Sequence, residues 1–390
     1  MTARPEQARE DVDPSDGTRG PSVPSAPSDP YDPYDAVLVL SFGGPERPED
    51  VLPFLRQVTA GRGIPDERLA VVGQHYYDRG GRSPVNDLGR ALVAALHDEL
   101  GRRGTELPVV LGNRNWSPWL DDALRSLHDG GARRVVTVVT SAFSSYSSCR
   151  QYRENLSDAV DALGAEGREL VVDKVRVYAT HPGFARTMAG LAADTAAGLP
   201  REVLPSTRMV HVTHSIPLWM QESSGPKDAP DVSYRHQHEQ LAALVDATVE
   251  QRLGVPLPST LAYCSRSGPP SQPWLEPDIN EHLADLAGEG VSDVVVAPIG
   301  FVSDHMEVVY DLDTEAAATA AALGLRLHRV PTVGTHPDFV AGLADLVLER
   351  AAEARGEVVE RAAVPPGALW STCPAGCCAG REDRPALCGG

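Results

Sequence analysis

Residues 291 to 315 read VSDVVVAPIGFVSDHMEVVYDLDTE, and the pattern of this stretch recurs along the chain. Residues 294 to 298 are apolar and largely β-branched without polar alternation, which favours a strand buried on both faces of a parallel sheet. A polar turn follows, and the remainder predicts a helix that carries acids at Glu307, Asp311 and Glu315. The stretch therefore predicts one strand–turn–helix unit of an α/β protein.

The three acids are spaced by four residues, which places them side by side on a helix surface. Like charges at this spacing oppose helix formation by about 0.2–0.5 kcal/mol per pair, so structural need alone does not favour the row. Two interpretations remain open. The row is a solvated acidic first turn that suits the helix dipole, or it is a series of hard oxygen ligands for cations.

The second half of the chain repeats the order of segments in the first half. Three pairs of segments correspond: MVHVTHSIP (209–217) with AVLVLSFGGP (36–45), PWLEPDINEHLADLAGEG (273–290) with PWLDDALRSLHDGG (118–131), and VVVAPIGF (294–301) with VVTVVTSAF (135–143). Alternating buried strands and helices predict parallel sheets with helices on both faces. The predicted fold is α/β, with two flavodoxin-like, doubly wound parallel-sheet lobes and a cleft between them.

The 390 residues suffice for two domains of ordinary size. Residues 1–33 are rich in Pro, Ser, Asp and Gly and are predicted to form a disordered tail. Residues 34–200 and 201–355 are assigned to the first and second lobes, and residues 356–390 to a cysteine-rich extension.

The net charge of −19 and the pI near 5.0 argue against a nucleic-acid partner, because no basic stripe is present to neutralise phosphates. No run of 18 apolar residues and no apolar signal core occur, so neither a transmembrane segment nor export is expected. We therefore predict a cytoplasmic location, with a monomer as the working assumption.

His214 follows the strand of the second repeat, where polar side chains at the carboxyl ends of parallel strands line a ligand cleft. Glu307 follows the next buried strand, so the two side chains are expected to face one cavity. A neutral imidazole is both a ligand for first-row metals and a proton acceptor near neutral pH. The alternative is a histidine that is packed and hydrogen-bonded in the core.

Six cysteines are present, and Cys373, Cys377, Cys378 and Cys388 all lie within the last 18 residues. Without an export signal, metal ligation or redox chemistry is favoured over a disulfide framework. A zinc site or free thiols on the extension are the alternatives, and Cys264 is expected to be a buried thiol.

Several segments together resemble the ferrochelatases, in particular the coproporphyrin ferrochelatases of actinobacteria. The resemblance spans residues 36 to 350 and rests on SFGGP, VTAGRGIP, GGRSP, NRNWSP, SSYSSCRQYREN, THSIP and GFVSDHMEVVYDLDTE. It implies two chelatase-type lobes around a porphyrin cleft, with His214 and Glu307 as catalytic residues that face each other across the macrocycle. It also implies that His214, Glu307, Asp311 and Glu315 handle the metal, the last two in a π-helical segment.

The resemblance further implies substrate contacts and a cofactor. Ser83, Arg114 and Tyr152 would contact the porphyrin, although each alone is an ordinary loop residue, and Arg62 is a further candidate. Phe42 stands where many relatives carry Tyr, which removes one polar contact. A 2Fe-2S cluster would be held by Cys149, Cys373, Cys377 and Cys378, leaving Cys388 as surplus or as a replacement for one of the adjacent pair.

The expected activity is insertion of Fe2+ into coproporphyrin III to give coproheme in haem biosynthesis. Protoporphyrin as substrate, or chelation of cobalt or nickel, are the enzymatic alternatives, and a non-catalytic porphyrin or metal carrier is the alternative of another class. Coproporphyrin is favoured because the first lobe carries no amphipathic insertion rich in Leu, Phe and Trp.

Overall fold

The structure, a computed structural model, describes residues 29–227, 229, 232–268, 271–382 and 384–387. Its strands form two four-stranded parallel sheets. The strands of the first sheet are β1 (Ala36–Ser41), β2 (Val109–Asn113), β3 (Arg134–Val139) and β4 (Val171–Lys174). The strands of the second sheet are β5 (Thr207–His214), β6 (Ser259–Cys264), β7 (Asp293–Ala297) and β8 (Arg326–Arg329).

The strand orders are β2-β1-β3-β4 and β6-β5-β7-β8, the same order in both sheets. This is the flavodoxin-like order, in which the chain reverses its direction of winding between the first and third strands. The segments that correspond in the sequence occupy corresponding places, since β1 matches β5 and β3 matches β7. The predicted two-lobed, doubly wound α/β fold is confirmed.

Helices cover both faces of each sheet. In the first half they are α1 (Val51–Val58), α2 (Asp66–Tyr77), α3 (Val85–Arg102), α4 (Leu120–Asp129), α5 (Gln151–Ala165) and α6 (Pro182–Ala197). In the second half they are α7 (Leu218–Glu222), α8 (Tyr234–Leu253), α9 (Ile279–Gly288), α10 (Met306–Tyr310), α11 (Ala317–Ala322) and α12 (Pro337–Ala354).

The helix that follows the last strand of each sheet crosses to the other lobe. α6 packs on α8 and touches β7, whereas α12 packs on α3 and touches β3. A buried ion pair between Arg176 and Glu349, with Nε and Oε1 2.7 Å apart, fixes α12 to the first lobe. The strands fall within the predicted ranges 34–200 and 201–355, but the exchange of these helices joins the inner faces of both sheets into one continuous core.

The predicted disordered tail needs a correction at its end. Residues 1–28 lie outside the described part, but Tyr31 is only 1% exposed and packs in the shared core. Its aromatic ring supplies the burial that the composition of the tail did not suggest. The described part of the C-terminal extension packs on α5, where Arg384 bonds Glu154 and Asp158.

Among the described residues, no helix combines the length and the apolar character that crossing a membrane requires.

Candidate active site

The ends of three neighbouring strands bring the candidate residues together. His214 ends β5, Ser265 directly follows β6, and Glu307 lies in α10, which follows β7. The Nε2 atom of His214 lies 3.6 Å from Oε2 of Glu307. Their side chains are 34% and 50% exposed, so a ligand in the cleft can reach both. The pair occupies the switch point between β5 and β7, where doubly wound sheets bind ligands.

The surroundings of His214 define which ring nitrogen carries a proton. Its Nδ1 contacts the carbonyl oxygen of Ser215, which can only accept a hydrogen bond. A neutral imidazole then carries its proton on Nδ1 and presents a lone pair at Nε2. The basic nitrogen therefore points toward Glu307 and the cleft.

Gly300 permits the close approach of the loop that leads to Glu307. A Cβ atom at this position would lie 2.0 Å from Oγ1 of Thr213 and 2.9 Å from its Cα. The backbone amide of Gly300 donates to the carbonyl of Val212, 3.2 Å away. Because only glycine fits against the end of β5, the loop after β7 runs directly beside His214.

Asp311 is the most perturbed acid of the row. Burial raises the pKa of Asp311 to about 6, the hydrogen bond from Ser265 opposes this shift, and Glu307 adds to it. Ser265 adopts the left-handed region, with φ of 63°, which aims its hydroxyl at the carboxylate. Asp311 is therefore a carboxyl group that gains and loses a proton near neutral pH.

The acidic row departs from an α-helix. Residues Asp311–Ala316 form a π-helical segment between α10 and α11, as the family resemblance implied. Wider turns of this kind are rare and occur frequently at functional sites. Glu315 is exposed at the outer end and bonds Tyr310, whose ring stacks on His75 of the first lobe at 3.7 Å. The row thus runs from the cleft to the surface.

Three of the four predicted substrate residues lie together on the first lobe. The guanidinium of Arg114 lies 5.0 Å from the ring centroid of Tyr152 and 5.8 Å from that of Phe42. Burial raises the pKa of Tyr152, and the charge of Glu307 adds to the effect. Because Glu307 is close enough to act on Tyr152, the cluster of Phe42, Arg114 and Tyr152 lies on the side of the cleft that faces Glu307. The exposed Arg62 is close enough for its charge to lower the pKa of Arg114, although burial is the larger cause.

Ser83 packs against the turn that follows β1, and its amide donates to the carbonyl of Pro45 at 2.8 Å. It is 4% exposed, and its hydroxyl accepts a hydrogen bond from the amide of Val85 at 3.4 Å. A Cβ at Gly44 would lie 2.7 Å from the Cβ of Ser83, so this serine packs directly against the glycine turn.

A cavity of about 380 Å³ lies between the lobes. Its walls include Ser41 and Thr140 at the ends of β1 and β3, and Ser303 and Thr332 after β7 and β8. This cavity lies at the carboxyl ends of both sheets, but none of the predicted site residues lines it. A pocket of about 480 Å³ beside Trp116 and Trp119 contains none of the predicted site residues.

Four cysteines from distant parts of the sequence meet behind the first lobe. Cys149 lies in a second π-helical segment, Tyr146–Arg150, which precedes α5. The thiol of Cys149 is hydrogen-bonded to that of Cys373, which is also hydrogen-bonded to Cys377. The sulfurs of Cys377 and Cys378 are 3.8 Å apart. Cys388 lies outside the described residues. Cys264 is 1% exposed, as expected of a buried thiol.

The environment divides the four thiols: the hydrogen bond with Cys373 raises the pKa of Cys149 and of Cys377, whereas the hydrogen bond with Cys377 lowers the pKa of Cys378. Hydrogen bonds with Cys149 and Cys377 lower the pKa of Cys373, and the buried Lys174 acts in the same direction. In the described ranges no three His, Cys, Asp or Glu side chains converge on one metal ion, and the sulfurs form a chain of neighbours instead. Four clustered thiols beside a buried cation suit a two-iron cluster, which takes four thiolates.

Sequence reasoning missed two residues of the site. Ser265 directly follows β6, so the rule that singled out His214 at the carboxyl end of β5 also applies to it. His75 sits on α2 of the first lobe, and no local pattern links it to Tyr310, 235 positions further on.

The comparisons with known proteins agree with the motifs. A family model described as Ferrochelatase matches residues 34–351. The chain is 52% identical to proteins named coproporphyrin III ferrochelatase from Streptomyces griseus subsp. griseus and Streptomyces coelicolor, over 91% of this chain and 96% of each relative. The relative of that name from Leifsonia xyli subsp. xyli is 47% identical over 88% of this chain and 90% of its own length.

Among solved structures, SirB from Bacillus subtilis with Fe3+ aligns with a TM-score of 0.45 and 12% identity, over 82% of this chain and 97% of that chain. The family resemblance read from the motifs is confirmed, since the matched region covers most of the chain: it belongs to the ferrochelatase family.

Proposed function

We propose that this chain inserts Fe2+ into coproporphyrin III and releases coproheme, a reaction of haem biosynthesis. The observation that carries the proposal is the pair formed by His214 and Glu307 across 3.6 Å at the cleft. Family membership and the names of the curated relatives support the reaction and its substrate. The assignments of a cytoplasmic location and of a monomer stay predictions.

The chemistry requires a base beside the macrocycle. The porphyrin loses two pyrrole N–H protons while its four nitrogens take up the metal, so charge balances when Fe2+ enters and two protons leave. Nε2 of His214 is the acceptor for these protons, because its Nδ1 is engaged with Ser215. Glu307 stabilises the imidazolium that forms, as an anion near a developing positive charge.

The acidic row gives the protons and the iron a route between the cleft and the surface. A proton on His214 passes to Glu307 and then to Asp311, whose pKa of about 6 lets it both accept and release a proton near neutral pH. Glu315 at the exposed end supplies oxygen ligands of the kind that a hydrated divalent cation prefers. The row therefore serves both ions, which move in opposite directions.

The first lobe holds the carboxylate groups of the substrate. Arg114 lies against Tyr152, and its Nε has no hydrogen-bond partner among the described residues. A half-buried guanidinium whose Nε–H has no partner in the described part of the chain is suited to a carboxylate, because a guanidinium can bind a carboxylate through two parallel hydrogen bonds. Coproporphyrin carries four such groups, and we assign one of them to Arg114.

We further propose that Cys149, Cys373, Cys377 and Cys378 hold a 2Fe-2S cluster. The support is their mutual contact, together with the amide of Gly225, which donates to Sγ of Cys378 at 3.2 Å. Such a cluster would supply metal–thiolate bonds that tie the extension to the first lobe, and metal binding would then add to folding stability.

The test is anaerobic metal insertion with coproporphyrin III and with protoporphyrin as parallel substrates. We expect a clear preference for coproporphyrin. His214→Ala should lose about 100-fold or more of the rate, since a positioned acid–base group contributes at least that much. His236→Ala, on the outer surface of α8, is the matched control and should retain full activity. An equal rate with protoporphyrin would refute the substrate, and an active His214→Ala would refute the base.

A further inference from the structure

Tyr234, the first residue of α8, holds the backbone of His214 from behind. Its hydroxyl lies 2.9 Å from the carbonyl oxygen of His214 and 2.8 Å from Oγ1 of Thr213. The ring is 4% exposed, so its hydroxyl is shielded from competing water. Both contacts join α8 to the last two residues of β5.

A neighbouring histidine defines the direction of these hydrogen bonds. His238 is fully buried, and burial lowers its pKa to about 3, so the ring is neutral at neutral pH. Its Nδ1 lies 2.7 Å from the carbonyl of Tyr234 and must donate, which leaves Nε2 to accept the proton of Thr213. The single proton of the Tyr234 hydroxyl is then shared between two acceptors, Oγ1 of Thr213 and the carbonyl oxygen of His214.

The other end of Tyr234 leads to the cysteine site. Its backbone amide donates to Oγ of Ser224 at 2.7 Å, and the next residue, Gly225, meets Cys378 through two hydrogen bonds. The amide of Gly225 donates to Sγ of Cys378, and the amide of Cys378 donates to the carbonyl of Gly225, both at 3.2 Å. Cys378 is 0% exposed, so this junction is dry.

We infer that Tyr234 is a positioning residue for His214 and that it links the histidine to the four-cysteine site through Ser224, Gly225 and Cys378. Hydrogen bonds join Cys378 to Gly225, and the neighbouring Ser224 accepts a hydrogen bond from the amide of Tyr234, the first residue of α8. Fixing Cys378 in place therefore also fixes the start of α8. The hydroxyl of Tyr234 then holds the residue that ends β5. The link rests on the proposed roles of His214 and of the cysteines.

A buried tyrosine can pack in this core without hydrogen bonds from its hydroxyl, as a second tyrosine shows. Tyr263, on the neighbouring strand β6, lies opposite Thr213 and is 1% exposed. Its hydroxyl has no hydrogen-bond partner among the described residues. Removing the hydroxyl of Tyr263 therefore changes packing in the same way as at Tyr234 without breaking a bond to His214, which makes it a matched control.

The test measures backbone amide exchange in residues 214–222 of the purified full chain. Tyr234→Phe should accelerate exchange about fivefold, which corresponds to one lost hydrogen bond, whereas Tyr263→Phe should leave it unchanged. Cys378→Ser should accelerate exchange in the same segment. Because both changes break one route, the double variant Tyr234→Phe/Cys378→Ser should exchange no faster than the faster single variant.

Turnover provides the second measurement. Tyr234→Phe should lower kcat several-fold and leave the KM for the porphyrin unchanged, because it displaces His214 and not the substrate. The role of Tyr234 is overturned if Tyr234→Phe matches Tyr263→Phe in both exchange and kcat. The link to the cysteines is overturned if the two changes accelerate exchange independently. If the wild-type chain does not insert iron, the proposed function is refuted. The exchange measurements would still show whether Tyr234 connects His214 to Cys378.

Discussion

Replacing Gly300 by alanine should separate Glu307 from His214 and thereby stop metal insertion. The added Cβ would lie 2.0 Å from Oγ1 and 2.9 Å from Cα of Thr213. A side-chain rotation can remove the first overlap but not the second, because the Cα belongs to the central strand β5. The loop after β7 must therefore retreat by about 1 Å, with a strain of roughly 1–3 kcal/mol.

That displacement falls on the segment that carries Glu307. The carboxylate is 3.6 Å from Nε2 of His214, so a shift of this size moves the pair out of contact. A misplacement of about 1 Å in a catalytic group can cost on the order of 100-fold in rate. We therefore expect kcat to fall about 100-fold, with a loss of unfolding free energy of only a few kcal/mol.

The assay combines anaerobic metal insertion, denaturant unfolding and binding of coproporphyrin by fluorescence. The control is Gly288→Ala at the end of α9 in the same lobe, where an added Cβ meets no atom within 4 Å. Gly288→Ala should retain wild-type turnover, and Gly300→Ala should still bind the porphyrin. If Gly300→Ala retained a kcat within threefold of the control, the close approach at Thr213 would not position Glu307.

Further changes probe the acidic row, the cysteines and a buried histidine. Glu307→Gln should strongly lower turnover, whereas Glu315→Gln at the exposed end should mainly raise the iron concentration needed for half-maximal rate; equal effects on stability alone would make the row structural. Cys149→Ser should abolish the visible absorption of the purified protein and Cys388→Ser should retain it, and the reverse pattern would overturn the ligand set. His238 resists protonation in the folded state only, so stability should fall below pH 6.5, by roughly 2 kcal/mol at pH 5 in denaturant titrations, and His238→Gln should flatten that slope.

The sequence alone was enough to predict the architecture and the proximity of His214 and Glu307. Central parallel strands such as β1 and β7 are buried on both faces, so their apolar runs do not alternate and can be recognised locally. The repeated order of segments then predicted two lobes with the same strand order. His214 and Glu307 could be paired because carboxyl ends of neighbouring parallel strands lie at one sheet edge, a consequence of topology rather than of side-chain detail.

Contacts between residues far apart in sequence depended on the tertiary structure. The exchange of α6 and α12 between lobes leaves no local signal, since an apolar helix face is the same whichever sheet it covers. The pKa of Asp311 depends on burial and on a serine 46 residues away. The link from Cys378 to His214 runs through Tyr234, whose hydrogen bonds exist only because α8 packs behind β5. Residue types could be assigned to chemistry from the sequence, but distances, directions and protonation follow from the packing.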